Sequence, residues 1–293
     1  MKSKYLMLAV VMLTACNGGK NGSDGYGNFE TTEVIVSAES SGKIIRLDVR
    51  EGSKIGKGQQ VGLIDTVNLH LKKEQLLARI ESVSSQLDNL SAQAEVLEKQ
   101  REMLVNDRDR VEKLLSDGAA TKKQLDDIEG QLEVNRAQIG SVRTQKQSVV
   151  SEMNVIRVQL KEVQESIDNC IIMSPLEGTV LGKYAEPGEV TGFGRPLFKV
   201  ADLDTMILTV YVSGSQLSGI TIGQQAEVLI DTAGGEMKPV TGVVSWVSET
   251  AEFTPKVIQT REERVNLVYA VKIRVPNDGS LKIGMPGEAR FRL

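Results

Sequence analysis

Residues 37–65, "SAESSGKIIRLDVREGSKIGKGQQVGLID", return in altered form at 173–201 as "MSPLEGTVLGKYAEPGEVTGFGRPLFKVA". Gly42, Gly52 and Gly58 of the first copy match Gly178, Gly188 and Gly194 of the second, with no gap needed. Apolar positions keep the same register: Ile44 with Val180, Ile55 with the β-branched Thr191, and Ile64 with Val200. Short β-segments need glycine where the chain takes a positive φ or where two backbones approach closely. A copy of about thirty residues is too small to bury a core alone. The repeat therefore predicts one small β-sandwich made from residues 31–66 and 169–202.

The stretch between the copies has a different period. Leu69, Leu76, Val83, Leu90, Leu97, Leu104 and Val111 fall every seven residues. Ile80, Leu87, Ala94 and Leu115 fill a companion row that Arg101 and Arg108 interrupt. After a break, Leu125, Leu132, Ile139, Met153, Leu160 and Ile167 resume the spacing, with Lys146 as the exception. Ile128, Val142, Val149, Ile156 and Val163 accompany them, broken by Asn135. Sustained heptads flanked by charged residues and Gln predict a coiled coil. A short break and the need for the two β-copies to meet make it an antiparallel hairpin over 67–168. Each arm approaches fifty residues, so the rod reaches roughly 70 Å. At the break, Gly118 can end the first helix. Thr121 with Gln124 is a T-x-x-Q capping box that starts the second.

Beyond residue 203 the pattern turns to strands. "MILTVYV", "QAEVLI", "VTGVVSWV", "VNLVYAVKIRV" and "EARFRL" are short, β-branched and separated by Gly, Pro, Asn and Ser. They predict a small β-barrel over 203–293, with a short helix in "SGSQLSGI". Glu249, Glu252, Glu262 and Glu263 lie on a charged connection without a nucleophile or metal ligands beside them, so they read as loop carboxylates. His70 is the single histidine and reads as helix surface, which leaves no multi-His metal site and no Ser/His/Asp arrangement. No cofactor is expected.

At the other end, Lys2 and Lys4 precede the apolar run from Tyr5 to Leu13, followed by Leu13-Thr14-Ala15-Cys16. This is a short secretory signal over 1–15, too short to span a bilayer as a mature helix. Cysteine after Leu-Thr-Ala resembles the bacterial lipobox, which implies that Cys16 is acylated and becomes the first mature residue. Residues 16–30, Gly-, Asn- and Ser-rich, read as a flexible tether. Cys170, the other cysteine, then has no internal partner and reads as a small buried apolar residue. Aromatics make up only 4%, which suits a long coiled coil better than a thick core. A net charge of −4 without a basic block gives nucleic acid no electrostatic purchase.

Taken in order, an acylated cysteine, a split β-repeat, a long α-hairpin and a terminal β-barrel resemble the HlyD/membrane-fusion-protein family of periplasmic adaptors. The β-repeat resembles the two halves of a lipoyl/biotinyl carrier domain, but the carrier lysine is absent and the hairpin occupies its place. The segment Ala251 to Val275 looks like the YbhG-type branch, often found with ABC-type exporters. The resemblance implies an elongated α+β chain. It also implies a homo-oligomeric ring, a hexamer by the family's habit, bridging an inner-membrane transporter to a TolC-like outer-membrane duct. It implies a lipid-anchored periplasmic location and a non-enzymatic role. Adaptors docking on TolC-like ducts carry Arg, Leu and Ser at the hairpin tip, and here Arg110, Leu114 and Thr121 stand at that spacing, with Thr for Ser. The chain closes right after the presumed barrel, and the tether looks short for a further membrane-proximal domain. Both points favour an ABC partner over an RND pump, which remains the alternative. Asn17 rather than Asp follows Cys16, which leaves the retaining membrane open. A lipoyl-type carrier and a structural coiled-coil envelope lipoprotein are the other readings.

Overall fold

Neither copy of the repeat forms a sheet of its own. In the computed structural model, which describes residues 23–231, 237–253 and 267–291, a strand β1 (Gly25–Glu30) precedes the first copy. That copy supplies β2 (Glu33–Ser37), β3 (Gly42–Leu47), β4 (Lys54–Ile55) and β5 (Gln60–Ile64). Helices α1 (Val67–Ser116) and α2 (Lys122–Asp168) follow. The second copy then supplies β6 (Ile171–Met173), β7 (Gly178–Lys183), β8 (Val190–Thr191) and β9 (Pro196–Ala201). One sheet runs β2-β9-β7-β4 and the other β6-β5-β3-β8. Exchanging the copies turns one order into the other, so the sandwich has an internal two-fold relation and each sheet draws equally on both copies.

The matched glycines divide by cause. Gly52, Gly58, Gly188 and Gly194 have φ of 81°, 71°, 95° and 79°, the left-handed region that penalises a Cβ. Gly42 and Gly178 instead open strands β3 and β7. A Cβ at Gly42 would stand 2.8 Å from Ile64 Cγ2, and one at Gly178 would run into the Ala201 backbone. Ile44, Ile55, Ile64, Val180 and Val200 are all buried in one cluster, with Thr191 beside them. Cys170, where α2 enters β6, is a buried free thiol in the same core.

The helices form one antiparallel pair. Lys73 Nζ donates to Gln164 Oε1 at 2.8 Å, and Arg79 Nη2 meets Glu152 Oε1 at 3.1 Å. The best-filled part of the seam holds Val83, Val149, Met153 and Ile156, toward the β-sandwich. Between Leu97 and Asn135, through the tip, no side chain is fully buried, because two helices alone enclose little volume.

The last third contains β10 (Thr205–Ser213), α3 (Gly214–Leu217), β11 (Gln225–Asp231), β12 (Met237–Val247), β13 (Glu252–Phe253), β14 (Leu267–Pro276) and β15 (Pro286–Phe291). Strand order β10-β1-β15-β11-β12-β14, with β14 pairing back to β10, closes a barrel, and β13 extends it beside β14. Met206, Leu208, Val210 and Val212 alternate inward along β10, the period-two signature of a strand with one face in the core.

One expectation needs correcting. Gly25–Glu30, read as the end of the tether, is the strand that closes the barrel, so the barrel is not confined to residues beyond 203. "GYGNFE" conceals a strand because its glycines serve close packing. A Cβ at Gly27 would run into the Thr209 carbonyl, while Phe29 fills the core at 1% exposure. The earlier part of the expected tether and Cys16 lie outside the described residues.

Because Phe29 anchors a strand from the far end of the chain, Phe29→Ala should lower barrel stability by about 3–5 kcal/mol. The single Trp246, on β12, reports this in a denaturant titration, while helix ellipticity, dominated by the hairpin, should stay cooperative and unshifted. An unshifted Trp246 transition would return Gly25–Glu30 to the tether.

Candidate functional site

The hairpin tip is built from two backbone motifs that meet head to tail. At the end of α1, Ala119 N–H donates to the Leu114 carbonyl at 2.7 Å and Gly118 N–H to the Leu115 carbonyl at 3.0 Å. Gly118 takes φ of 75°. This is a Schellman motif, which satisfies carbonyls that a helix end leaves open. Three residues on, Thr121 caps α2: Gln124 N–H donates to Thr121 Oγ1 at 3.4 Å, and Thr121 N–H donates to Gln124 Oε1 at 2.8 Å. Both ends are closed within residues 114–124, so the turn is held without help from a partner.

The three residues singled out for the tip are arranged unequally. Arg110 and Leu114 are one turn apart on α1 and share a face. Arg110 has a side chain 72% exposed and only a loose ion pair with Asp107 at 3.6 Å. Leu114 leaves 40% of its surface in solvent, an apolar knob beside a guanidinium fork. Thr121 stands across the turn at the start of α2. Its hydroxyl also donates to Gln124 Oε1 at 3.0 Å, so its donor is engaged and it offers a visitor mainly acceptor capacity. Ala119 and Gly118 are exposed at the apex and add no bulk.

Sequence reasoning passed over Asn135 as a mere interruption. It is buried at 2% exposure, and its Nδ2 donates to the Leu97 carbonyl across the seam at 3.1 Å. Its Oδ1 is buried without a partner. A lone polar residue inside a heptad row often fixes register at a cost in stability, and this is the signal that marks it.

Elsewhere the chemistry is quiet. Lys99 is held above its ordinary value by a hydrogen bond and charge from Glu102, Arg108 by Asp109, and Lys199 by Glu33. Asp278 is lowered to about 2 by hydrogen bonds from Ser280 and the charge of Lys238. All four keep their ordinary charge at neutral pH. Among the described residues no group of three His, Cys, Asp or Glu side chains is placed to hold a metal ion. Glu249 and Glu252 are exposed, and Glu262 and Glu263 lie outside the described residues. His70 is exposed on α1. A cleft of about 160 Å³ opens between Lys54, Gly178 and Asp204 where sandwich meets barrel, well below the few hundred Å³ of a typical ligand pocket. No described helix is long and apolar enough to cross a membrane.

No family profile matches the sequence. Over 129 residues it is 37% identical to a "UPF0194 membrane protein" of Yersinia pseudotuberculosis serotype O:3 (strain YPIII), covering 44% of this chain and 39% of that relative's length. A second protein of that name, from Y. pseudotuberculosis serotype IB (strain PB1/+), is 28% identical over 291 residues, covering 91% of this chain and 88% of the relative. The fold is that of MacA from Actinobacillus actinomycetemcomitans, with a TM-score of 0.55 at 20% identity over 90% of this chain and 76% of that one. It also resembles a MacA–MexA chimera carrying the Pseudomonas aeruginosa MexA α-hairpin, with a TM-score of 0.51 at 22% identity over 90% and 78%.

The two hairpin positions give opposite signs. Thr121→Ala removes the cap and should cost about 1 kcal/mol, read as faster hydrogen exchange of amides in the first turn of α2. Asn135→Leu removes the orphaned acceptor and should raise hairpin stability by about 1–3 kcal/mol in thermal melts followed by helix ellipticity.

Proposed function

We propose that the protein is a periplasmic adaptor, lipid-anchored through Cys16 at the inner membrane, that links an inner-membrane transporter to a TolC-like outer-membrane duct. The observation that carries the reading is the hairpin. A rod of 50-residue and 47-residue helices stands on a β-sandwich and ends in a self-capped tip with Arg110 and Leu114 exposed. At 1.5 Å per residue it spans about 70 Å, which suits reaching a distant partner rather than enclosing a substrate.

In this reading Arg110 offers a planar fork of donors to carbonyls or carboxylates of the duct, Leu114 an apolar contact, and Thr121 an oxygen acceptor. The chain assembles as a ring, a hexamer by analogy with the adaptor family. The transporter is of the ABC class on the strength of the YbhG-like segment Ala251 to Val275, with an RND pump as the alternative. The role is mechanical coupling, without catalysis. The fold shared with MacA and the MacA–MexA chimera supports the architecture, and the relatives' name supports an association with membranes.

The test uses the full chain in its own envelope. Thr121→Cys carrying a short photo-crosslinker should give an adduct with an outer-membrane protein of duct size. Arg110→Asp with Leu114→Asp should reduce that adduct about tenfold or more, the loss expected when a charged contact and an apolar contact both fail. Unchanged adducts in the double variant would sink the tip assignment. Cys16→Ser should abolish incorporation of radiolabelled palmitate and release the protein from membranes, and retained label would refute the anchor.

A further inference from the structure

The two ends of the barrel differ in charge. At the end that carries the sandwich, Asp204, Asp231, Lys238, Asp278 and Lys282 crowd the strand ends and turns. The chain enters at the other end. There Gln216 Nε2 of α3 donates to the Asp24 carbonyl at 3.2 Å, and Tyr26 of β1 stands opposite Tyr211 of β10. The stretch that supplies much of this end, Thr205 to Ala226, holds no charged residue. Asp24 accepts the Phe291 N–H at 2.8 Å, and Glu227 pairs with Arg290 at 3.8 Å. Glu249 and Glu252, exposed near the start of β14, leave the described part of this end slightly negative.

Apolar and aromatic side chains stand where charge is missing. Gln224 N–H donates to the Thr221 carbonyl at 3.1 Å, closing a tight turn in which Gly223 takes φ of 90°. Ile222 sits at the corner of that turn with 68% of its surface exposed. Gly223 N–H donates to the Val244 carbonyl at 2.8 Å, which lays the turn along β12 just short of Trp246. Trp246 is 42% exposed, and Lys272 Nζ stands 5.7 Å from the centroid of its ring. Tyr26 is exposed as well. Trp and Tyr, with an apolar body and a polar tip, settle where hydrocarbon meets headgroups. A lysine stem can lie along such a surface while its ammonium stays in water.

We propose that this end of the barrel rests on a zwitterionic bilayer surface, with Ile222 entering the headgroup–acyl boundary and Tyr26 and Trp246 at headgroup level. The occupant follows from the chain that precedes β1. Cys16 is seven residues before Ser23, so even fully extended backbone holds the barrel's entry within about 25 Å of an acyl group on Cys16. The charge-poor end therefore faces the membrane, and the sandwich and its hairpin leave from the other. A second copy fits this surface poorly, because a two-fold contact through it would send the two hairpins in opposite directions. An acyl tether keeps the chain near the bilayer without orienting it; a second contact through the barrel decides which way the rod stands. The proposal deepens the anchor reading given above and rests on it for orientation.

The test couples the mature chain, through the Cys16 thiol, to maleimide-bearing phosphatidylcholine vesicles, so it stands whether or not the cell acylates Cys16. Cys170 is buried and does not compete. Trp246 is the single tryptophan, so its emission reports this surface alone. Lipid brominated at acyl carbons close to the headgroup should lower that emission about twofold relative to plain lipid, the effect of a ring seated 5–10 Å into the interface. Ile222→Asp should abolish the difference and Ile222→Leu should keep it. Ile222 lies on the surface, so neither change should move the denaturant transition of the barrel. Equal emission on both lipids, or quenching indifferent to Ile222→Asp, overturns the proposal. Ile222→Cys carrying a photo-crosslinker should label lipid in native membranes; a protein adduct in its place assigns the surface to the transporter and also overturns it. The palmitate experiment separates the two readings: label on Cys16 without quenching of Trp246 leaves the anchor standing and removes the barrel contact, and quenching without label does the reverse.

Discussion

The constraint on which the whole molecule depends is that neither copy of the β-repeat can bury its own apolar residues. Ile44, Ile64, Val180 and Val200 share one core only when residues from both copies are present. The chain must therefore leave the sandwich and come back. Everything between the copies has to begin and end at one place, and an antiparallel helix pair satisfies that condition with little entropy of closure beyond its own turn. The length of the rod is free to vary under this rule; its antiparallel return is not. The self-capped turn at residues 114–124 is the distal counterpart of the same demand, since a frayed tip would shorten the rod and loosen the return.

The barrel obeys a similar logic by another route. Strands from the last third leave a gap between β10 and β15, and β1 fills it. Both β-units are thus completed by chain segments distant in sequence, through Thr31 and Thr32 on one side and Asp202 to Asp204 on the other. The Thr31 hydroxyl donates to the Asp202 carbonyl at 2.5 Å, which ties the two crossing segments where they run together, and Lys54 of β4 pairs with Asp204 at 3.0 Å, which holds the second segment to the sandwich. Exposed pairs of this sort contribute little individually, about 1 kcal/mol or less. Their place at a two-strand crossing makes them matter for orientation more than for stability.

Much of this was legible in residue spacing. The glycine pairs, the heptads and the Thr121-Gln124 cap are local or strictly periodic signals, and each corresponds to a definite backbone need. What escaped was long-range. Gly25–Glu30 has the composition of a linker because its glycines answer to the backbone of β10, more than a hundred residues away in sequence. Asn135 looked like a defect in a row; only the position of the Leu97 carbonyl shows that it bridges the helices. The tip residues Arg110 and Leu114 were placed by resemblance. Their exposure fits a contact role, but a physical reading of the sequence would have found only a solvated arginine and a leucine next to the seam.

The attachment of the hairpin has a mechanical consequence. Helix α1 leaves β5 and helix α2 enters β6, and those strands are hydrogen-bonded neighbours in one sheet. A pull along the rod therefore draws β5 and β6 the same way and does not slide one past the other. The shear falls on the next interface, between β5 and β3, where hydrogen bonds across the strands share the load in parallel. A sideways push at the tip acts instead through a lever of about 70 Å on a base only two strands wide. Such a rod is stiff in tension and compliant in bending, so lateral support must come from beside it rather than from its root.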